Sequence, residues 1–368
     1  MNYRFLILIA ALVVLTSSSL FAQGERKDKT AVTYEEIYDE PYSVNKLFIG
    51  LIPMYGELFV TNVNAGYGAD AIYYLKDKAD FRFQLRKTYS QKFYDFSREL
   101  ASSQSSVDNR AEIYNYYELG GSYHFKDFEE SSKTKMFLYK NSYKGNKWAA
   151  RVPLHAEVPC KVRKIYAARL GGIFWNSTAD LGRIMDRQGL VNSDLLNISA
   201  NASEIPSLPD FETIKVNNQL KTGQPVHPFT NISSTGLYVG GSMSWIRNVA
   251  VNFDKFEEGI DDGIFTTYID ILIAPSLKID DVVYTPKDDQ GVRDTDKTAT
   301  YSVSPVKTKT IGFRAGIDGR FNRTLSWSYG GEVGYRPSFD KSGFYVLLKI
   351  AFPVFGTNLD YKVESFGK

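Results

Sequence analysis

The sequence predicts an all-β fold, a transmembrane antiparallel β-barrel of roughly 12 strands within a range of 10–14. Three observations predict it. Apolar and polar residues alternate with period two over runs of about ten residues, longer than the five or six usual in globular strands. An export leader heads a chain that has no later apolar stretch of about 20 residues, the length a membrane-spanning helix needs. The links between runs are short on one side and long on the other, the asymmetry of outer-membrane barrels.

The elements follow in chain order. Residues 1–22 read as a signal peptide. Arg4 gives a positive start, Phe5–Leu15 is continuously apolar, and Leu20-Phe21-Ala22 ends on a small residue suited to cleavage. Residues 23–44 are polar and locally acidic around Tyr34–Glu40 and read as a periplasmic lead-in. The barrel is assigned to residues 45–355. Its first run, Lys46–Tyr55, is apolar on both faces. Clean alternation begins with Ala65, Tyr67, Ala69 and Ala71 against Gly66, Gly68 and Asp70, and continues with Phe81, Phe83 and Leu85 against Arg82, Gln84 and Arg86. Four runs follow: 113–125, 134–143, 148–156 and 162–174. The first three place Glu118, His124, Arg151, His155 and Glu157 inward, and the fourth Arg163 and Arg169. The later runs are 237–245, 265–278, 311–321, 325–336 and 344–355. They present Asp270, Lys278, Arg314, Asp318, Arg320, Glu332, Arg336 and Lys349 on the polar face.

Ten residues rising about 3.3 Å each, tilted near 40°, cover roughly the 25 Å apolar band of an outer membrane. The expected links Lys76–Ala79, Pro159–Cys160 and Asn322–Thr324 are short and periplasmic. Residues 178–232 and 280–305 form long external loops, and residues 356–368 a polar tail. The doublets Gly171-Gly172, Gly240-Gly241 and Gly330-Gly331 fall inside runs, where they serve strand bending and close packing.

The layout resembles exported outer-membrane β-barrels of Gram-negative bacteria, and the leader ending Leu20-Phe21-Ala22-Gln23 resembles those common in Bacteroidota. The resemblance implies outer-membrane lipid as surroundings and envelope proteins as candidate partners. In one respect the chain departs from the pattern. Such barrels often finish at an aromatic residue used in assembly, whereas here Phe355 is followed by residues 356–368.

Composition narrows the function. The chain has 44 Lys+Arg against 42 Asp+Glu, which argues against nucleic-acid binding by a basic surface. It has 3 His and 1 Cys, no Gly-x-Ser-x-Gly elbow and no His-Glu-x-x-His pair, so no enzyme activity, cofactor or metal site is expected. The inward positions carry what information there is. Ten are basic (Arg82, Arg86, Arg151, Arg163, Arg169, Lys278, Arg314, Arg320, Arg336, Lys349) and six acidic (Asp70, Glu118, Glu157, Asp270, Asp318, Glu332). An open, wet lumen with that excess would favour anions and make the protein a passive channel for small polar or anionic solutes. Side chains meeting across the lumen would instead close it with Arg–carboxylate pairs. The chain would then be a structural subunit of an export or assembly complex, or a surface receptor using residues 178–232.

Overall fold

A computed structural model describes residues 33–357, apart from 60–61, 76–77, 90–100, 102, 105, 139–153, 217–218, 255, 289–290 and 323–326. The expected signal peptide, residues 1–22, lies outside the described residues, as do Arg151 and most of the tail. Ten antiparallel strands close into a barrel: β1 (Leu47–Phe59), β2 (Asn62–Leu75), β3 (Ala79–Thr88), β4 (Asn115–Leu138), β5 (Leu154–Asp180), β6 (Phe229–Ile246), β7 (Gly263–Ile279), β8 (Ile311–Phe321), β9 (Ser328–Tyr335) and β10 (Phe344–Thr357). Each pairs with the next in sequence, and β10 closes on β1. The end where β1 starts and β10 finishes is here the near end; the other is the far end. Among the described residues no helix is long and apolar enough to cross a membrane.

The strand count is ten rather than twelve because two expected pairs are single strands. The described parts of runs 113–125 and 134–143 belong to β4, and those of runs 148–156 and 162–174 to β5, so Pro159 and Cys160 lie mid-strand instead of in a turn; residues 139–143 and 148–153 lie outside the described residues. The polar stretch between the first two runs looks like a link in one dimension. A bulge between His124 and Lys126 carries the strand on, pairing Asp127–Leu138 with Ile165–Leu154. The thirteen residues Lys126–Leu138 are past the last partner on β3; from Glu130 on, their β5 partners are past β6 as well, and the pair runs on roughly 30 Å beyond the barrel as a ribbon.

The ribbon needs cover for one face, and the chain supplies it. Met136, Val158, Cys160 and Val162 pack against Val249, Val251 and Phe253 of a three-stranded sheet, Tyr34–Asp39, Val249–Phe253 and Gly259–Asp261. The segment expected as a periplasmic lead-in thus contributes a strand. Both carboxylate oxygens of Asp39 accept from the Lys161 backbone N–H, at 2.9 and 3.1 Å. Burial pushes the Cys160 thiol above its ordinary range, so little thiolate exists at neutral pH. Phe253→Ala should cost this annex about 3 kcal/mol. Maleimide labelling of Cys160, slow in the intact protein, should then quicken by up to about a hundredfold while the barrel stays folded. Rapid labelling of the unmutated protein would show that the annex does not cover the thiol.

At the far end the long connections fold over the opening. The 181–228 connection contains helix α1 (Leu181–Gln188) and a hairpin, Phe211–Val216 with Gln219–Pro225. Asp180 caps the helix, its carboxylate accepting from the Arg183 N–H at 3.0 Å, and Gly189 ends it in the left-handed region at φ 77°. Leu181, Ile184 and Met185 turn inward onto Trp175, Tyr284 and Tyr301.

Candidate functional site

The wall is apolar outside and charged inside. Outward positions such as Leu348, Ile269 and Leu119 are 66–68% exposed, whereas Arg86, Asp270 and Arg314 are at most 1% exposed. A one-residue slip of any strand would exchange these faces, so register is strongly determined.

The buried polar side chains meet across the lumen. Arg314 is at the centre: Nε donates to Asp270 at 2.8 Å and Nη2 to Glu118 at 2.6 Å. Arg169 donates from Nε to the other oxygen of Asp270 at 3.0 Å. Glu332 accepts from the hydroxyls of Tyr268 (2.9 Å) and Tyr345 (3.2 Å). Toward the far end Arg336 forms a two-pronged pair with Glu57, at 2.8 and 3.0 Å, while Arg86 and Tyr114 share the same carboxylate. Toward the near end Asp318 takes Arg320 and Lys349, and Asp80 takes Arg82 and His124.

Aromatic rings fill the space between the ions. The Arg86 guanidinium lies 3.8 Å from the Tyr116 ring centroid, Arg169 4.1 Å from Tyr268, and Arg336 4.4 Å from Tyr345. Glycine makes room for them: a Cβ on Gly171 would stand 2.6 Å from the Tyr238 ring, so that doublet serves close packing here.

Apolar layers close both ends. Val44, Phe48, Ile72, Tyr74, Ile165, Ile246 and Ile264 cluster at the near end, where Asn45 and Asn322 are hydrogen-bonded. At the far end Trp175, Tyr116 and Tyr345 join the cap cluster. A mid-lumen cavity touching Gln84, Arg169 and Lys349 measures about 30 Å³, space for a water or two.

Most of the expected inward residues are in this network. Arg86, Glu118, Arg169, Asp270, Arg314, Asp318, Arg320, Glu332 and Arg336 are buried in the lumen, and Asp70, Arg82 and Lys349 line it. Arg163 is buried lower down, at the junction with the ribbon, where it pairs with Asp127 at 2.5 Å and covers Tyr42. Three placements are corrected. Glu157 and His155 are exposed on the ribbon, beyond the barrel, and Glu157 reaches Lys133 at 3.9 Å. Lys278 is exposed because β7 bulges between Ile273 and Ser276, which breaks the alternation that would have turned it inward. His124 does point inward, where its Nε2 lies 3.0 Å from Asp80.

Sequence reasoning missed Glu57 and Asp80. The expected first run ends at Tyr55, two residues short of Glu57, and Asp80 falls beside the expected link Lys76–Ala79. Continuing the period would have found both: Tyr55, Glu57 and Phe59 alternate in β1, as do Asp80, Arg82, Gln84 and Arg86 in β3.

No protein-family model matches the chain, and no curated protein matches it. Among solved structures it is similar to CymD, a monoaromatic hydrocarbon channel, at 8% sequence identity, covering 87% of this chain and 93% of that one with a TM-score of 0.19. It is also similar to OmpTdeltaL8, a loop L8 deletion mutant of OmpT, an outer membrane protein of Vibrio cholerae. There the identity is 9%, the coverage 84% of this chain and 99% of that one, and the TM-score 0.15. At these TM-scores neither likeness carries an argument about this chain.

Proposed function

We propose that the protein is a sealed outer-membrane barrel, a scaffold that holds its near-end annex and far-end cap in place without passing solute. The membrane reading is supported by the outer wall. Its apolar face ends in aromatic pairs, Trp245–Phe265 and Trp327–Tyr329 at the near rim and Tyr67–Tyr89 and Tyr117–Phe174 toward the far rim. On β4 the outward row Tyr117, Leu119, Tyr123 and Phe125 ends at the bulge, past which the strand carries exposed Lys126, Glu129, Glu130, Lys133 and Lys135. The long connections 181–228 and 280–310 are both at the far end, so the cap is assigned to the outside and the near end to the periplasm.

The observation that carries the sealed reading is the sequence of three closures along the lumen: the near-end apolar cluster, the central ion network and the far-end cap. An open anion path would leave the arginines hydrated and exposed. Here their charges are matched by carboxylates at hydrogen-bonding distance. Purified protein in planar bilayers should therefore be electrically silent at neutral pH. Stepwise, anion-selective conductance would overturn the scaffold reading in favour of the passive channel.

A further inference from the structure

The outer wall carries two hollows set end to end along β6–β9. The first, about 380 Å³, opens at the near rim among Trp245, Phe265 and Tyr329, with Arg247 at its edge. The second, about 910 Å³, continues toward mid-wall over Gly241, Ala315 and Gly331. Register makes them one groove. Phe265 stands beside Trp245 and Gly319, then Thr267 beside Met243 and Ile317, then Ile269 beside Gly241 and Ala315. The outward side chains are large at the rim and small further in, so the wall recedes where a bilayer would place acyl chains.

The rim is also chemically distinct from the floor. Arg247 continues the outward row of β6 past Trp245. Its side chain is 42% exposed, and among the described residues its one ion pair, to Asp261, is long at 3.4 Å and its Nε has no hydrogen-bond partner. The other basic group on this hollow, Arg320, is committed to Asp318 at 2.9 Å. Asp261 is itself engaged by Arg247 and by the Thr134 hydroxyl. Lys164, opposite Trp245 in the ladder, is likewise committed, to Glu130, which leaves Arg247 as the basic group of the rim.

We propose that this groove binds one anionic phospholipid from the near-end leaflet. Its phosphodiester meets Arg247, its glycerol lies among the interfacial aromatics, and an acyl chain occupies the hollow over Gly241 and Gly331. A guanidinium fork suits a phosphate oxygen pair, and Trp and Tyr suit the headgroup boundary. The inference rests on the reading that this wall faces lipid.

Native mass spectrometry of the delipidated full chain, titrated with phosphatidylglycerol or phosphatidylcholine of identical chains, tests it. One phosphatidylglycerol should bind with about tenfold preference, the size of a charge-assisted hydrogen bond. Arg247→Gln should abolish the preference. Gly241→Leu leaves Arg247 untouched, and its Cβ meets only the Ala167 carbonyl, at 3.7 Å; it should weaken both lipids alike by filling the hollow. Glycerol phosphate without chains should not displace the lipid. Equal binding of the two lipids, a preference that survives Arg247→Gln, indifference to Gly241→Leu, or displacement by glycerol phosphate would each overturn the proposal. Vesicle insertion measured in parallel separates the two readings. Failure to insert removes the membrane reading and the lipid site together, whereas insertion without lipid preference removes only the site.

Discussion

Arg314→Leu is expected to destabilise the barrel by about 3–5 kcal/mol, measured by urea titration of the folded, heat-modifiable form in lipid vesicles. The magnitude follows from what the substitution leaves behind. Asp270 keeps Arg169, and Glu332 keeps Tyr268 and Tyr345, but Glu118 retains, among the described residues, the Tyr116 hydroxyl at 2.7 Å as its hydrogen-bond partner in a site where the carboxylate is nearly buried. A buried charge without its counterion is costly, whereas removing both charges is not. Glu118→Leu combined with Arg314→Leu should therefore recover much of the loss, a coupling that a double-mutant cycle reads directly. Arg314→Lys should sit between, since it keeps the charge but cannot span Asp270 and Glu118 with one planar group. A loss below about 1 kcal/mol is what a screened, water-filled interior would give, and it would sink the sealed-lumen reading.

Ile269→Arg is expected to cost about 2–4 kcal/mol in the same assay, while Phe137→Arg should change stability by no more than about 0.5 kcal/mol. Both residues are exposed large hydrophobics, at 67% and 51%. Exposure to protein atoms therefore does not separate them; the surrounding solvent does. Ile269 lies mid-strand in β7, level with the buried pair Asp270–Arg169 behind it, and faces the region assigned to lipid. Phe137 lies on the ribbon, among the charged residues that follow Phe125. Equal effects of the two substitutions would mean that the wall and the ribbon share one solvent.

The sequence made the faces legible before the partners. Glu118 and Arg314 could each be assigned inward from their own strands. That they meet could not be read, because they are 196 residues apart and a period-two pattern contains no term for which strands adjoin across the lumen. The same limit explains the overcount of strands. Residues 129–133 are polar on both faces, as a loop would be, because the ribbon there has solvent rather than lipid on one side. The bulge after His124 preserves the strand's direction while breaking its alternation. Cover for the ribbon was invisible for a related reason. The Tyr34–Asp39 strand is mostly exposed and carries little periodicity of its own; it is a strand because Val249–Phe253 pairs with it.

Alternation by itself determined that this chain is an inside-out β-protein, with Ile269 and Leu348 outward and Arg314 and Asp270 inward, because side-chain direction in a strand is set by position parity alone. Only the tertiary structure decided that ten strands close the barrel and that its inward charges pair with one another across the lumen. Closure, bulges and ion pairing depend on which distant strands and side chains come within a few ångströms, and no local spacing specifies that distance.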